Sequence, residues 1–224
     1  MTKLILVAIA LMATTNTAFA AVERKSRDLK LPSQQMVEKQ SITNPAAAGT
    51  ADVLSANAGN TSAAAATVTT FLAQPDVPRN LVITPGGSTG DVAACNVVVT
   101  GTNIKGRVIT ETFAFAENAS SATTGTKAFK TITSVAFPAA CEDSPFLASW
   151  SVGYGEKLGV KQCMSAPGHI FFSTLDSGSG FAKEGTAPTM VSDADEVEKN
   201  TADFNGTMNG SNDFELFFMQ NYCP

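Results

Sequence analysis

The chain has 224 residues, a formal net charge of −5 and only 16% charged side chains, below the quarter that is usual for soluble domains. Binding to a phosphate backbone needs clustered lysine and arginine, and 15 such residues against 20 acidic ones argue against nucleic acid as a partner. This length permits one large domain or two small ones, and an all-β fold of this size can still be a single domain.

The first twenty residues have the pattern of a secretory signal. Lys3 precedes an apolar run over Leu4–Met12, and Ala18 and Ala20 form an A-x-A cleavage site ahead of Ala21. The apolar run is too short to span a bilayer. Two interpretations stay open: the segment is cleaved on export, or it is kept and buried in a contact between subunits.

Residues 1–66 are predicted to lie outside the main core. Residues 21–40 carry charges of both signs around Pro32 without an apolar stripe, which is typical of a solvated arm. Residues 41–66 are rich in Ala, Asn, Gly, Thr and Ser, which predicts loop or weak strand. We therefore divide the chain into a signal-like segment with an extended N-terminal arm, 1–66, and a β domain, 67–224.

From residue 67 onward, runs of Val, Ile, Thr and Phe bounded by Gly, Pro and Asn predict β-strands. The segment Gly101–Gly106 predicts a hairpin loop, and no helical period fills the other gaps, so neighbouring strands should pair antiparallel. The predicted strands are Thr67–Ala73, Arg79–Thr84, Ala93–Thr100, Arg107–Ala116, Lys127–Phe137, Ala148–Tyr154, Gly168–Leu175 and Asn212–Gln220.

Two further segments are predicted as non-strand. The glycines of Gly153–Gly159 predict a turn, and the polar stretch 176–210 predicts a long loop that makes contacts. The fold class is therefore all-β: an antiparallel β-sandwich or β-barrel-like domain with an extended N-terminal arm and long loops.

No catalytic constellation is recognisable. His169 is the only histidine and stands at the head of an apolar strand, where a packing or surface role is expected rather than general-base catalysis. Ser177–Gly180 is a flexible loop by composition, and no G-x-S-x-G motif occurs. We predict a non-enzymatic protein with no catalytic, cofactor-binding or metal-binding residues.

An acidic cluster at Asp193, Asp195, Glu196 and Glu198 could gather oxygens for calcium, but it lacks the glycine and the terminal glutamate of an EF-hand loop. A solvated acidic loop is the prediction. Glycosylation acceptor patterns also occur at Asn60, Asn118, Asn205 and Asn209. A chain rich in Asn, Ser and Thr produces such patterns by chance.

The four cysteines are Cys95, Cys141, Cys163 and Cys223, and their spacing forms no C-x-x-C pair. In an oxidising compartment they would form two disulfides in one of three connectivities. The alternative is that they are buried free thiols, which behave as small apolar residues.

Several segments together resemble a family of structural proteins of tailed bacteriophages and related prophages. The likeness covers residues 67–160 and, more loosely, the last twenty. It is carried by P-R-N at 78–80 before an apolar strand, T-G-T-N-I-K-G at 100–106, T-E-T at 110–112, K-A-F-K-T-I-T-S at 127–134, S-V-G-Y-G-E-K-L-G-V at 151–160 and the closing F-N-G-T-M-N-G-S-N-D-F-E-L-F-F-M-Q-N-Y.

The resemblance implies a virion component, first of all a capsid decoration or head-stabilising subunit. Such a subunit would form a trimer or higher homo-oligomer and contact the major capsid protein or other virion subunits, without cofactor or membrane if its N-terminal segment is buried in the assembly. A tail-tube or other tail subunit is the alternative within this class.

The signal-like start and the four cysteines depart from that family, since virion proteins normally assemble in the cytoplasm. They favour a different class, an exported bacterial surface or periplasmic β-rich binding protein, with a secreted enzyme as third choice. The expected location is therefore the virion, or else secreted or periplasmic after cleavage of the signal-like segment.

Overall fold

The computed structural model describes residues 37–55, 65–88, 90–141 and 148–219; the signal-like segment, most of the arm, Asn60 and Cys223 lie outside them. In the described part every strand pairing is antiparallel and the only helical elements are three single 3-10 turns, so the all-β antiparallel prediction is confirmed. The strands are β1 (Val37–Ile42), β2 (Ala66–Val68), β3 (Arg79–Gly86), β4 (Cys95–Thr102), β5 (Val108–Phe115), β6 (Thr123–Thr124), β7 (Thr131–Phe137), β8 (Ser149–Gly159), β9 (Ile170–Asp176), β10 (Ala182–Lys183), β11 (Thr189–Val191), β12 (Thr201–Asp203) and β13 (Asp213–Met219).

These strands form three sheets. The central sheet has the order β11-β12-β8-β3-β6, the threonine sheet β2-β7-β4-β5 and the terminal sheet β1-β13-β9-β10. The central and threonine sheets share the larger core, in which Trp150 of β8 lies 4.9 Å from the ring of Phe115 and 5.7 Å from that of Phe137. Each such aromatic side chain buries about 150–250 Å² of surface, so these contacts stabilise the packing of the two sheets.

A second core lies under the terminal sheet. Phe214, Leu216 and Phe218 alternate along β13 and are fully buried, against Leu158 at the end of β8 and Ile42 of β1. These three residues share one face of the strand, as the alternation in the sequence predicts.

The predicted turn at Gly153–Gly159 is wrong, because β8 runs without interruption to Gly159. Its glycines serve close approach rather than a turn. A Cβ atom on Gly153 would overlap the carbonyl oxygen of Gly49, and one on Gly155 would overlap the side chain of Asn80. Glycine inside a strand commonly marks such a crossing of chains.

Part of the predicted arm is a strand of the sheet. β1 pairs with β13 over its whole length, and Gln40 takes a buried position in it, where its amide donates to Gly159 O and accepts from Lys161 N. Glu38 binds the Lys161 ammonium at 2.8 Å, and this hydrogen bond lowers the pKa of its carboxyl. The predicted loop 176–210 likewise contains three short strands, β10, β11 and β12.

A disulfide joins Cys95, at the start of β4, to Cys141, in the 3-10 turn after β7. Cys163 is also disulfide-bonded, and no described cysteine is free, so the free-thiol alternative is wrong for these residues. The Cys95–Cys141 bond closes one end of the threonine sheet by covalent linkage.

Candidate functional site

The residues that carry the family resemblance belong to the framework of the fold. Arg79 is fully buried. Its guanidinium donates to Gly155 O from Nε at 2.9 Å and from Nη2 at 2.7 Å, and from Nη1 to Ala46 O at 2.9 Å. It also pairs with Asp76 at 3.2 Å and lies over the Tyr154 ring. A buried charge needs such a complete set of partners, so Arg79 is a structural anchor.

Asn80 has a similar role in the sheet itself. The pairing of β3 with β8 shifts register between Arg79 and Leu81, as it does at a β-bulge. The Asn80 side chain accepts from Lys157 N at 2.9 Å and donates to Gly125 O at 3.0 Å. The Asn80 amide thus supplies hydrogen bonds where the backbone ladder is interrupted. Its oxygen and its nitrogen both have partners within the protein.

The T-G-T-N-I-K-G motif contains the last three residues of β4 and continues into the β4–β5 hairpin loop. Asn103 Oδ1 accepts from the backbone N–H groups of Lys105 and Arg107, at 2.9 and 3.0 Å. Gly106 has a φ of +78°, which glycine adopts without strain. The Asn103 amide also donates to Glu198 at 3.0 Å, so the hairpin is tied to the acidic segment.

Lysines and a buried asparagine organise the acidic cluster. Lys199 pairs with Asp193 and Glu196, and Lys127 lies 3.8 Å from both Glu196 and Glu198. The backbone N–H groups of Glu196 and Asp195 hold the pKa of Asp193 below its usual value. No group of three or more metal-ligating side chains that could hold an ion occurs in the described part.

The buried Asn200 side chain ties this segment together, because it bonds to the backbone of Met164, Asp193 and Glu196. These bonds give the acidic segment a defined shape.

His169 and the serine-glycine run lie at opposite ends of β9. His169 ends the 3-10 turn before the strand, and Ser177–Gly180 follows it, where Asp176 accepts from Gly178 N and Gly180 N. A seven-residue strand spans roughly 20 Å. The structure therefore does not bring these two sequence candidates together.

Three glycosylation patterns fall in the described residues. Asn205 donates to the carbonyls of Thr186 and Ala187, and Asn209 accepts from Ser211 N and Asn212 N. The Asn205 side chain therefore joins two segments that are distant along the chain, and the Asn209 side chain stabilises a turn. The third residue, Asn118, has a φ of +61° in an exposed turn.

A cavity of about 340 Å³ opens beside β8, with Asn80, Tyr154, Glu156, Lys157 and Asp203 among its lining residues. Its most buried polar groups are already bonded, since Tyr154 Oη donates to Gln74 O at 2.7 Å. Burial raises the pKa of the Tyr154 phenol. The cavity therefore offers no buried polar group in need of a ligand.

The outer surface of the threonine sheet is the most distinctive exposed feature. Most inward positions of its strands are apolar and buried, and cross-strand pairs such as Thr100 with Thr110 face outward. The charged exception on the inward side is the half-buried Glu111 of β5, whose carboxylate accepts from the backbone N–H groups of Thr126 and Lys127. No outward side chain is charged. We call this surface the threonine face; it consists of Thr67, Asn96, Val98, Thr100, Thr102, Val108, Thr110, Thr112, Ala114, Thr131, Thr133, Ser134 and Ala136.

Opposite ends of the threonine face carry exposed strand-end residues of opposite charge, and at the basic end Arg107 also lines a cavity with Asp195, Glu196 and Glu198. Arg107 and Lys130 lie where β5 and β7 begin, and Glu117 lies just past the end of β5. All three are exposed and form no ion pair with any residue in the described ranges. The face was not recognised from the sequence, although its signal is there: alternate positions of β4 and β5 lack charge throughout.

No protein-family model, curated protein or solved structure matches this chain. Among the described residues, no helix has the length and apolar character needed to cross a membrane.

Proposed function

We propose that this protein is a non-enzymatic structural subunit of a tailed-bacteriophage virion, acting as a capsid decoration or head-stabilising subunit. The observation that carries the proposal is the threonine face, a broad uncharged β-surface on a sheet that a disulfide and an aromatic core hold in place.

The physical argument concerns the cost of making a contact. A surface of lysine and glutamate loses much side-chain entropy on binding, whereas threonine, valine and serine lose little because their side chains are short or stiff. An uncharged β-surface also binds without desolvating ions. Because it loses little side-chain entropy and desolvates no ions, such a surface favours repeated contacts between subunits.

The resemblance to phage proteins agrees with this argument in one respect. Its motif residues, such as Arg79, Asn80 and Asn103, build the scaffold that presents the threonine face. A family defined by framework residues is a family that shares a shape, which is the property an assembly subunit needs.

A second function is favoured by a specific observation. The Cys95–Cys141 disulfide, together with the signal-like N-terminus, supports an exported bacterial surface or periplasmic β-rich binding protein. In that case the threonine face would be the surface that contacts its target.

Mass spectrometry of density-gradient-purified phage particles tests the two functions. The virion function predicts many copies per particle, retained on heads after heads and tails are separated. Recovery with tails would assign the tail alternative. Recovery only as a soluble protein in the medium, lacking residues 1–20, would overturn the virion function and support the exported one.

A further inference from the structure

We propose that a second copy of this chain covers the threonine face, and that the two sheets pack face to face with their strands antiparallel about a twofold axis. The inference rests on the proposed function and adds to it the partner, the surface and the orientation.

Charge selects the surface. At a net charge of −5, two copies repel each other over most of their exteriors. The threonine face is a large region with no like charges to bring together. It is therefore where two identical acidic molecules can approach most closely.

Charge also selects the orientation. A twofold axis that reverses the strand direction places Arg107 and Lys130 of one copy against Glu117 of the other, twice over. With the strands parallel, the basic ends would meet each other and so would the acidic ends. Like charges in contact oppose wrong arrangements, so the antiparallel one is favoured.

Size sets the expected strength of the contact. Strands of seven or eight residues, at about 4.8 Å spacing and 3.3 Å rise, give a flat area of roughly 400–500 Å² per copy. The total of roughly 800–1,000 Å² is at the low end for specific interfaces. We therefore expect a dimer that dissociates at micromolar concentrations and forms fully where copies are held close together.

A twofold contact closes on itself. It accounts for a dimer, and the trimer or higher oligomer that the phage resemblance implies would need a further surface.

Analytical ultracentrifugation of the full chain from about 1 to 300 μM tests the inference. We expect a reversible monomer–dimer equilibrium. Thr112→Lys, which places a charge on the threonine face halfway along its edge strand β5 and so brings like charges together in the dimer, should weaken dimerisation at least tenfold. Thr189→Lys makes the same change on an exposed strand residue of the central sheet and should leave the equilibrium unchanged. Circular dichroism of each variant establishes that it is folded.

A charge exchange tests the orientation independently. Glu117→Lys alone should weaken the dimer severalfold, and adding Arg107→Glu and Lys130→Glu should restore it, because the complementary ends are then exchanged. A chain that is monomeric throughout the concentration range, a dimer unaffected by Thr112→Lys, or an exchange that restores nothing would each overturn the inference.

The dimerisation experiments and the particle experiment can fail independently. If wild-type protein dimerises and the folded Thr112→Lys variant stays monomeric, but wild-type protein is absent from particles, the dimer stands and the virion function fails. If wild-type protein is monomeric in solution yet abundant in particles, the virion function stands and this inference fails.

Discussion

Replacing Arg79 with methionine should lower the free energy of unfolding by about 3–5 kcal/mol. The substitution keeps much of the side-chain length and removes the charge and every donor. It leaves the carbonyl oxygen of Gly155, which now accepts two guanidinium bonds, and that of Ala46 without those partners. Each buried acceptor left unpaired costs about 1–3 kcal/mol.

Two smaller effects contribute to the loss in free energy of unfolding. The lost contact with the Tyr154 ring adds about 1 kcal/mol. The Asp76 side chain adds little, because it is 32% exposed and keeps the backbone N–H groups of Ala46 and Val77 as donors. The total is dominated by the two carbonyls.

Urea unfolding followed by the fluorescence of Trp150, the only tryptophan, measures the change. With a slope of about 2–3 kcal/mol per molar urea, the midpoint should fall by roughly 1–2 M. Arg107→Met is the matched control, since its exposed side chain has no ion pair in the described part and should change stability by less than about 0.5 kcal/mol. A loss below about 1 kcal/mol for Arg79→Met would refute the reasoning.

Three further predictions use the same unfolding measurement. The double substitution of Cys95 and Cys141 by alanine opens a crosslink between residues 46 apart and should cost up to about 4 kcal/mol, so a neutral result would contradict the chain-entropy argument. Gly101→Ala would overlap a backbone oxygen of β7 and should cost at least about 2 kcal/mol, whereas Gly168→Ala, with open space around it, should be nearly neutral. Because the hydrogen bond from Lys161 lowers the pKa of Glu38 in the folded state, this ion pair stabilises the fold at neutral pH, and its contribution is lost as the pH falls through that lowered pKa. A Glu38→Gln variant should therefore lose less stability between about pH 5 and pH 3, and an unchanged acid slope would count against this ion pair.

Runs of Val, Ile, Thr and Phe bounded by Gly, Pro and Asn made several strands predictable. β3, β4, β5, β9 and β13 lie close to their predicted bounds. In β4 and β5 the more buried and the more exposed positions alternate. β1 escaped prediction because the polar Gln40 occupies a core position and finds its partners in residues far away along the chain. The continuation of β8 escaped it because glycines that admit a neighbouring chain look, in sequence, like glycines of a turn.

The candidate site was less predictable than the fold. The lack of charge at alternate positions of β4 and β5 is visible in the sequence. Its meaning depends on register, since only the pairing of Thr100 with both Thr110 and Ser134 shows that three strands align their uncharged residues on one surface. A short strand pattern does not specify which of its faces is buried until the partner sheet is known.

The pairing of β1 with β13 has a consequence for the order of events during synthesis. Val37 pairs with Met219, so the first described strand leaves the ribosome long before its partner exists. The threonine sheet, by contrast, is complete once Phe137 has been made. Its core is completed when Trp150 of β8 has followed. The threonine face therefore forms on the growing chain while β1 is still unpaired, and the terminal sheet is the last to form.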